Sequence, residues 1–115
     1  MLKIYGIKNC DTMKKSFQWL NENEITYEFH DYKKLGIEAS DIKKWAGQIE
    51  FKLLINRKGA TFKKLSAAQQ TACEKMETAI PLMQEFTSMI KRPILENNKG
   101  LLVGFEPEAW TKVLL

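Results

Sequence analysis

The sequence predicts an α/β domain built on a mixed four-stranded sheet with helices around it. Three features predict this class: a strand, an amphipathic helix and a second strand near the N-terminus; a long helical stretch over about residues 39–89; and two short apolar runs that precede a final helix. A chain of 115 residues lies in the size range of one domain, which we expect to span residues 1–115.

The N-terminal part is typical of a βαβ unit. Residues 2–5 form a short apolar run that Gly6 ends, and residues 11–23 carry apolar side chains at helical spacing. Residues 25–30 then alternate between apolar and polar, which is the pattern of a strand buried on one face. Because a helix with short joins connects the two strands, we expect them to be parallel.

The middle of the chain is predicted to be helical. Ser40 is suited to cap one helix, and Ser66 with Gln69 three residues later forms a capping-box pattern that opens another. Thr78 followed by Pro81 predicts a further helix start.

The C-terminal part predicts a hairpin and a helix. Residues 97–100, Asn-Asn-Lys-Gly, have the composition of a hairpin turn, and Pro107 stands where a first helical residue is favoured. The order is therefore βαβ, helical insertion, ββα. This is the layout of a thioredoxin-like (glutaredoxin-like) domain with an insertion at about residues 39–89.

Composition narrows the classes of function. The net charge of +4 would suit an anionic partner, but the lysines are scattered pairs without interleaved aromatics, so we expect solvated surface lysines and no nucleic-acid partner. No apolar stretch approaches the length of a membrane span, and no secretory signal precedes the domain, so a cytoplasmic location and no membrane association are expected. One histidine and two distant cysteines offer no spacing for a metal site.

Cys10 is the candidate nucleophile. A thiol attacks only as thiolate, and a cysteine at a helix start is favoured in that form by the N–H groups of the next residues, here Asp11, Thr12 and Met13, and by the helix dipole. Lys8 adds positive charge nearby. The alternative is that Cys10 is only a small residue packed after a strand. The strand, turn, cysteine and helix order favours the reactive role.

The partner thiol has to come from outside the cysteine turn. Met13 occupies the position where a CxxC dithiol would place its second cysteine, which excludes a local dithiol. Cys73 is the one internal candidate, but its helical surroundings favour a small buried hydrophobe. His30 could act as a base, although a strand histidine beside aromatic residues is more often structural.

The chain has two arginines, Arg57 and Arg92, and a guanidinium can clamp a carboxylate or oxyanion in a fixed fork. Each alone could equally be a surface ion-pair residue. Arg57 stands two residues before Gly59, which we expect to end a helix. Arg92 directly precedes Pro93 and is therefore pushed toward extended backbone geometry.

The segments "YGIKNCDTMKK", "FHDYKK", "LLINRKG" and "IKRPIL" together resemble the arsenate reductase (ArsC/Spx-like) family over essentially the whole chain, and are most similar to its YffB-type branch of glutathione-dependent thiol reductases. The resemblance implies a thioredoxin-like fold with a helical insert, a nucleophilic Cys10, and a cis bond between Arg92 and Pro93. It also implies that Arg57 and Arg92 bind an oxyanion or a substrate carboxylate, with Lys8 assigned to glutathione. The remaining residues assigned to substrate or anion binding are Asn9, Asp11, Thr12 and Pro93.

The sequence departs from arsenate reductases proper at two places. Gly6 and Ile7 stand where the family places a histidine near the cysteine loop, and the C-terminal hairpin lacks a third arginine. Each lost hydrogen bond to a buried oxyanion is worth about 1.5–3 kcal/mol, which disfavours arsenate reduction. Met13 likewise disfavours an Spx-like regulator, since those proteins usually carry a CxxC switch.

The leading hypothesis is therefore an oxidoreductase in which Cys10 reduces a small disulfide or glutathionylated thiol and glutathione resolves the mixed disulfide. Neither a metal nor a nucleotide is needed. Arsenate reduction linked to glutathione or glutaredoxin, a regulator that binds a protein partner, and a domain that has lost activity remain as alternatives. A chain of this size is expected to be a monomer.

Overall fold

The computed structural model describes residues 1–115. The strands are β1 (Leu2–Gly6), β2 (Tyr27–Asp31), β3 (Ile94–Asn97) and β4 (Gly100–Val103). The helices are α1 (Asp11–Glu22), α2 (Tyr32–Leu35), α3 (Ala39–Ala46), α4 (Ala60–Lys63), α5 (Ala67–Ala72), α6 (Met76–Glu85) and α7 (Pro107–Leu114). Two 3₁₀ turns cover Phe51–Leu54 and Thr87–Met89. None of the helices has the length and apolar character that crossing a membrane requires.

The chain forms two compact units. The first unit combines Met1–Leu35 with Arg92–Leu115 and holds the whole sheet together with α1, α2 and α7. The second unit, Gly36–Lys91, holds α3 to α6 and both 3₁₀ turns. The predicted helical stretch is thus confirmed, whereas a single domain over residues 1–115 stays a prediction.

The sheet has the strand order β2-β1-β3-β4. β1 and β2 are parallel, and the two other pairs are antiparallel, so the predicted mixed, thioredoxin-like sheet is confirmed. Tyr5 near the end of β1 pairs with Ile94 at the start of β3. The chain therefore leaves β1 and enters β3 at the same end of the sheet, which determines where the residues flanking these strands can meet.

One face of the sheet supports α1 and α7. Ile4 of β1 packs in one cluster with Met13 and Leu20 of α1 and with Trp110 of α7, and all four side chains are completely buried. Burying a side chain of this size contributes about 1.5–3 kcal/mol. The Trp110 indole N–H donates to the carbonyl oxygen of Gly104 at 3.1 Å, so its one polar group is satisfied. This packing holds α1 against the sheet.

The end of α1 displaces the start of the second strand from the predicted position. Glu24 has a positive φ of 56°, its N–H donates to the Asn21 carbonyl, and the N–H of Ile25 donates to the Leu20 carbonyl at 2.9 Å. This is a Schellman motif, here with glutamate instead of glycine in the left-handed position. Because it takes up Ile25, β2 begins at Tyr27 and not at residue 25.

Several local predictions are confirmed. Ser66 caps α5, with its hydroxyl accepting from the Gln69 N–H at 3.1 Å and the Gln69 side chain accepting from the Ser66 N–H at 2.9 Å. The hairpin joins β3 to β4 at residues 97–100, and Pro107 is the first residue of α7.

Three predicted helix boundaries are wrong. Ser40 lies inside α3, because the first helical hydrogen bond runs from Ile42 to the Glu38 carbonyl. α6 starts before Thr78 and contains Pro81; the Thr78 hydroxyl donates to the carbonyl of Lys75 and does not cap the helix. Gly59 begins α4 and does not end a helix, since its carbonyl accepts the N–H of Lys63 at 3.2 Å.

Candidate active site

Cys10 is the N-cap residue of α1. Its backbone is extended, with φ −121° and ψ 136°, and its carbonyl accepts the first helical hydrogen bond from Lys14 at 2.9 Å. The helix start predicted at or just after Cys10 is therefore confirmed. The N–H groups of the first turn have no partners within the helix, so they are available to a group at this end. The Cys10 side chain is half-buried.

The surroundings of Cys10 lower the pKa of its thiol. Burial acts in the opposite direction and is the largest single influence, but a hydrogen bond from the Arg92 side chain and the N–H groups of Met13 and Thr12 together outweigh it. The positive charge of Arg92 adds to these contacts. The sulfur makes no N-cap hydrogen bond of standard geometry. The N–H groups of Met13 and Thr12 therefore stabilise the thiolate because they lie near the sulfur and are oriented toward it. A larger fraction of Cys10 is thus thiolate near neutral pH than for an ordinary cysteine.

The register of β1 and β3 explains why Arg92 reaches Cys10. Cys10 lies four residues beyond the end of β1, and Arg92 lies two residues before the start of β3. Since Tyr5 pairs with Ile94, both segments leave the sheet at the same end. The peptide bond between Arg92 and Pro93 is cis, as the resemblance implies, and the Pro93 carbonyl accepts the N–H of Gly104 at 2.8 Å.

The other predicted residues near the cysteine differ in exposure. Lys8 and Asn9 lie exposed on the turn before Cys10, and Asp11 is exposed at the first position of α1. Thr12 is half-buried, and its carbonyl accepts the Ser16 hydroxyl at 2.7 Å. The turn therefore presents polar groups toward solvent, while the N–H groups of the helix lie toward the sulfur.

Met13 is packed against the turn. It is completely buried, and a Cβ added to Gly6 would overlap its thioether. The missing side chain at Gly6 thus makes room for Met13. The position where a CxxC motif would have its second cysteine is thus held by a buried packing residue.

Arg57 belongs to the second unit, where it forms a cluster of ion pairs with Glu74 and Lys52. Its Nη1 lies 3.5 Å from Oε1 of Glu74, whose Oε2 lies 2.7 Å from Lys52 Nζ. The guanidinium carbon also lies 5.5 Å from the centre of the Phe62 ring. The Nη2 of Arg57 is buried and has no hydrogen-bond partner in the protein. One donor of this arginine thus remains for an added group.

The sequence interpretation did not include Glu74 or Lys52. The pKa of the Glu74 carboxyl is lowered, chiefly by its hydrogen bond with Lys52 and by the charge of Lys52. The charge of Arg57 lowers this pKa further. No sequence signal pairs Glu74 with Arg57, because they are seventeen positions apart and meet only where α5 ends.

Cys73 and His30 occupy structural surroundings. Cys73 is a free thiol without any solvent exposure, and burial raises its pKa although the charge of Arg57 acts against this. The His30 ring packs 4.8 Å from the Tyr5 ring and 6.2 Å from the Tyr32 ring, centre to centre. Both observations support the structural interpretation of these residues.

Known proteins resemble the chain over nearly its full length. A solved structure named YffB is 44% identical, with a TM-score of 0.94, and the alignment covers 100% of each chain. An arsenate reductase (ArsC)-related protein from Brucella melitensis is 42% identical, with a TM-score of 0.75, over 96% of this chain and 92% of that one.

Two curated proteins are also similar to the chain in sequence. A Haemophilus influenzae protein is 32% identical over 96% of each chain. The global transcriptional regulator Spx of Listeria innocua is 24% identical over 94% of this chain and 82% of its own.

These similarities support thiol-based oxidoreductase chemistry at the level of the family. The model of the ArsC family matches residues 5–113, which is nearly the entire sequence. Together with the single half-buried cysteine at a helix start, this match shows that the chain belongs to the ArsC family.

Proposed function

We propose that the protein is a thiol–disulfide reductase in which Cys10 is the nucleophile and glutathione is the resolving thiol. The observation that carries this proposal is the position of Cys10 at the start of α1 and beside Arg92, where the Arg92 hydrogen bond and the N–H groups of Met13 and Thr12 lower the pKa of its thiol. Similar proteins at 42–44% identity support the same class of chemistry.

The reaction has two thiol–disulfide exchanges. First, the Cys10 thiolate attacks the glutathione sulfur of a mixed disulfide, forming a bond between Cys10 and glutathione and releasing the other thiol, which takes up a proton. Second, the thiolate of another glutathione attacks that sulfur, releasing the Cys10 thiolate and glutathione disulfide. The net reaction consumes one glutathione thiol per mixed disulfide, whose other half leaves as the free thiol while its glutathione half ends in glutathione disulfide.

Arg92, Arg57 and Lys8 are the proposed contacts for the carboxylates of glutathione. The Arg92 side chain already contacts the Cys10 sulfur, and Lys8 is exposed on the turn that precedes Cys10. Arg57 retains one buried donor, Nη2, without a partner, which fits the acceptor chemistry of a carboxylate. The residues proposed to surround the bound substrate are Asn9, Asp11, Thr12 and Pro93.

We propose that this reaction takes place in the cytoplasm and that the protein is a monomer. Its substrates are small disulfides or glutathionylated thiols. Cys10 and Cys73 are not joined in a disulfide, which suits a compartment where glutathione is mainly in the thiol form. Glutaredoxin is the alternative resolving thiol, because Cys10 is only half-buried.

The decisive experiment is mass analysis of the reduced protein after brief exposure to oxidised glutathione at neutral pH. We expect one glutathione adduct on Cys10 that added glutathione removes. Cys10→Ser should show no adduct and no turnover, whereas Cys73→Ala, the matched control, should retain most of both. Slow modification, or an adduct on Cys73, would refute the proposal. Equal loss of turnover in both variants would replace it with an internal Cys10–Cys73 exchange.

Two alternatives have their own measurements. Arsenate turnover coupled to glutathione oxidation would favour arsenate reduction, in line with the Brucella melitensis relative. Recovery of RNA polymerase subunits on the immobilised protein, together with no reductase activity, would favour an Spx-like regulator. Buried Met13 makes the regulator the weaker of the two, since no second thiol is present in the turn.

A further inference from the structure

A mainly apolar groove of about 560 Å³ opens in the first unit beside the cysteine turn. Its floor is formed by aromatic rings of α1 and β2, and its rim by the turn before Cys10 and by α2. The lining residues are Lys8, Asn9, Phe17, Tyr27, Phe29, Asp31, Lys34 and Leu35.

The aromatic rings of the floor pack against one another, but the rest of the protein does not fully cover them. The Phe17 ring stacks on the Tyr27 ring, with 5.5 Å between the ring centres. It meets the Phe29 ring edge-on, with 5.0 Å between the ring centres. All three side chains are only half-buried, and Leu35 at the rim is 67% exposed. A flat apolar group in the groove would therefore gain contacts that the protein leaves open.

The charges at the groove favour an anion. Lys8 and Lys34 are exposed at the rim. The one carboxylate in the lining, Asp31, is buried, and its Oδ1 accepts the N–H of Lys33 at 2.9 Å. The lining thus has two exposed lysines, whereas its one carboxylate is buried and already accepts a backbone N–H. This polarity complements a carboxylate attached to an apolar body.

The groove reaches the cysteine turn, because Lys8 and Asn9, the two residues before Cys10, line it. We propose that this aromatic groove binds an apolar, aromatic carboxylate, and that this group is the thiol half of the mixed disulfide reduced at Cys10. The assignment of that group as substrate rests on the proposed function; the binding of aromatic carboxylates does not.

The substrate has the form of glutathione joined through its sulfur to a thiol whose body is an aromatic ring with a carboxylate. The Cys10 thiolate attacks the glutathione sulfur, the disulfide bond breaks, and the thiolate that carries the ring leaves while the ring is held in the groove. Protonation from water completes this step. A second glutathione then restores Cys10 and forms glutathione disulfide, so no other reductant is needed.

Binding is tested with 2-naphthoate on the full-length Cys10→Ser protein, in which no exchange can occur. We expect the NMR signals of Phe17, Tyr27 and Phe29 to shift, with affinity in the millimolar range. The neutral analogue 2-naphthylmethanol should bind about threefold to tenfold more weakly, because it makes no charge-assisted contact. Absence of shifts at these rings, or equal binding of both probes, would overturn the proposal.

Two variants and one control locate the site. Lys34→Gln should weaken naphthoate binding and leave the alcohol unchanged, and Phe29→Leu, which keeps an apolar side chain, should weaken both. Lys112→Gln on α7, an exposed lysine outside this groove, should change neither. Loss of naphthoate affinity in Lys112→Gln to the same degree as in Lys34→Gln would indicate nonspecific charge attraction and would overturn the site.

Turnover then tests the substrate role. The disulfide of glutathione with 4-(mercaptomethyl)benzoate should have a higher kcat/KM than that with 2-mercaptoethanol, and Lys34→Gln should reduce the first value only. Equal values in the wild-type protein would overturn the substrate role even if naphthoate binds. Naphthoate binding without any reaction at Cys10 would instead refute the proposed function and leave the groove as an aromatic carboxylate site.

Discussion

The side chain of Arg92 hydrogen-bonds the sulfur of Cys10 and, with the N–H groups of Met13 and Thr12, lowers its pKa in spite of burial. Arg92 and Cys10 are 82 positions apart in the sequence, and the antiparallel pairing of β1 with β3 brings them together. The same guanidinium that favours the thiolate is then near any anion or carboxylate that approaches it. In the proposed reaction, this contact would couple activation of Cys10 to recognition of the substrate.

Replacing Arg92 with methionine should raise the pKa of Cys10, since the hydrogen bond and the charge are lost together. At a sulfur that water partly reaches, a charge-assisted contact contributes about 1 kcal/mol, so alkylation by iodoacetamide near pH 6 should slow about threefold to tenfold. The measurement is the alkylation rate against pH. Lys91→Met, at the exposed neighbouring position, is the control and should leave the midpoint unchanged; an unchanged midpoint in Arg92→Met would contradict the role of Arg92.

Replacing Arg57 with methionine should raise the KM for glutathione by roughly tenfold, because one charge-assisted hydrogen bond to a carboxylate contributes about 1.5 kcal/mol. The pH midpoint of Cys10 alkylation should stay unchanged, since Arg57 is not among the groups that lower its pKa. Steady-state kinetics and alkylation together separate the two arginines. Lys58→Met serves as the control; an unchanged KM in Arg57→Met would remove this residue from the glutathione site.

The Cys73 thiol should make the protein less stable at alkaline pH. Burial raises its pKa above 9.0, so the unfolded chain ionises at a lower pH than the folded one. Its favourable contribution is complete below pH 9.0 and declines as the pH rises toward the folded pKa. Urea unfolding from pH 7 to 10 should show that the stability difference between wild type and Cys73→Ala shifts in favour of the variant above pH 9.0. A difference independent of pH would contradict this assignment.

Replacing Gly6 with alanine should destabilise the protein, because the new Cβ would overlap the buried Met13 thioether. Overpacking of this kind costs about 1–3 kcal/mol. The control is Gly47→Ala, whose Cβ would make only ordinary contacts of 3.4 and 3.7 Å with the carbonyls of Lys44 and Lys43. Urea unfolding should place Gly47→Ala within about 0.5 kcal/mol of wild type; equal losses in both variants would rule out the clash.

Local signals in the sequence were sufficient for most of the elements. The apolar periodicity of α1, the capping box at Ser66 and the turn residues at 97–100 each act over a few positions, so their structures could be predicted without the fold. The boundaries that failed, at residue 25, Ser40, Gly59 and Thr78, depended on which carbonyl accepted the first or last helical hydrogen bond. Neighbouring residues compete for that bond, and a single residue type does not decide the outcome.

The sequence by itself determined the candidate nucleophile: one cysteine after a strand, directly before an amphipathic helix, with Met13 excluding a dithiol in the turn. Only the tertiary structure decided what surrounds it. Strand register brought Arg92 to the sulfur, the end of α5 joined Glu74 to Arg57, and packing of α1 on β2 left the aromatic groove open. Hydrogen bonds, charge and burial act over a few ångströms in space, and positions that are distant in the chain reach such separations only when the sheet has formed.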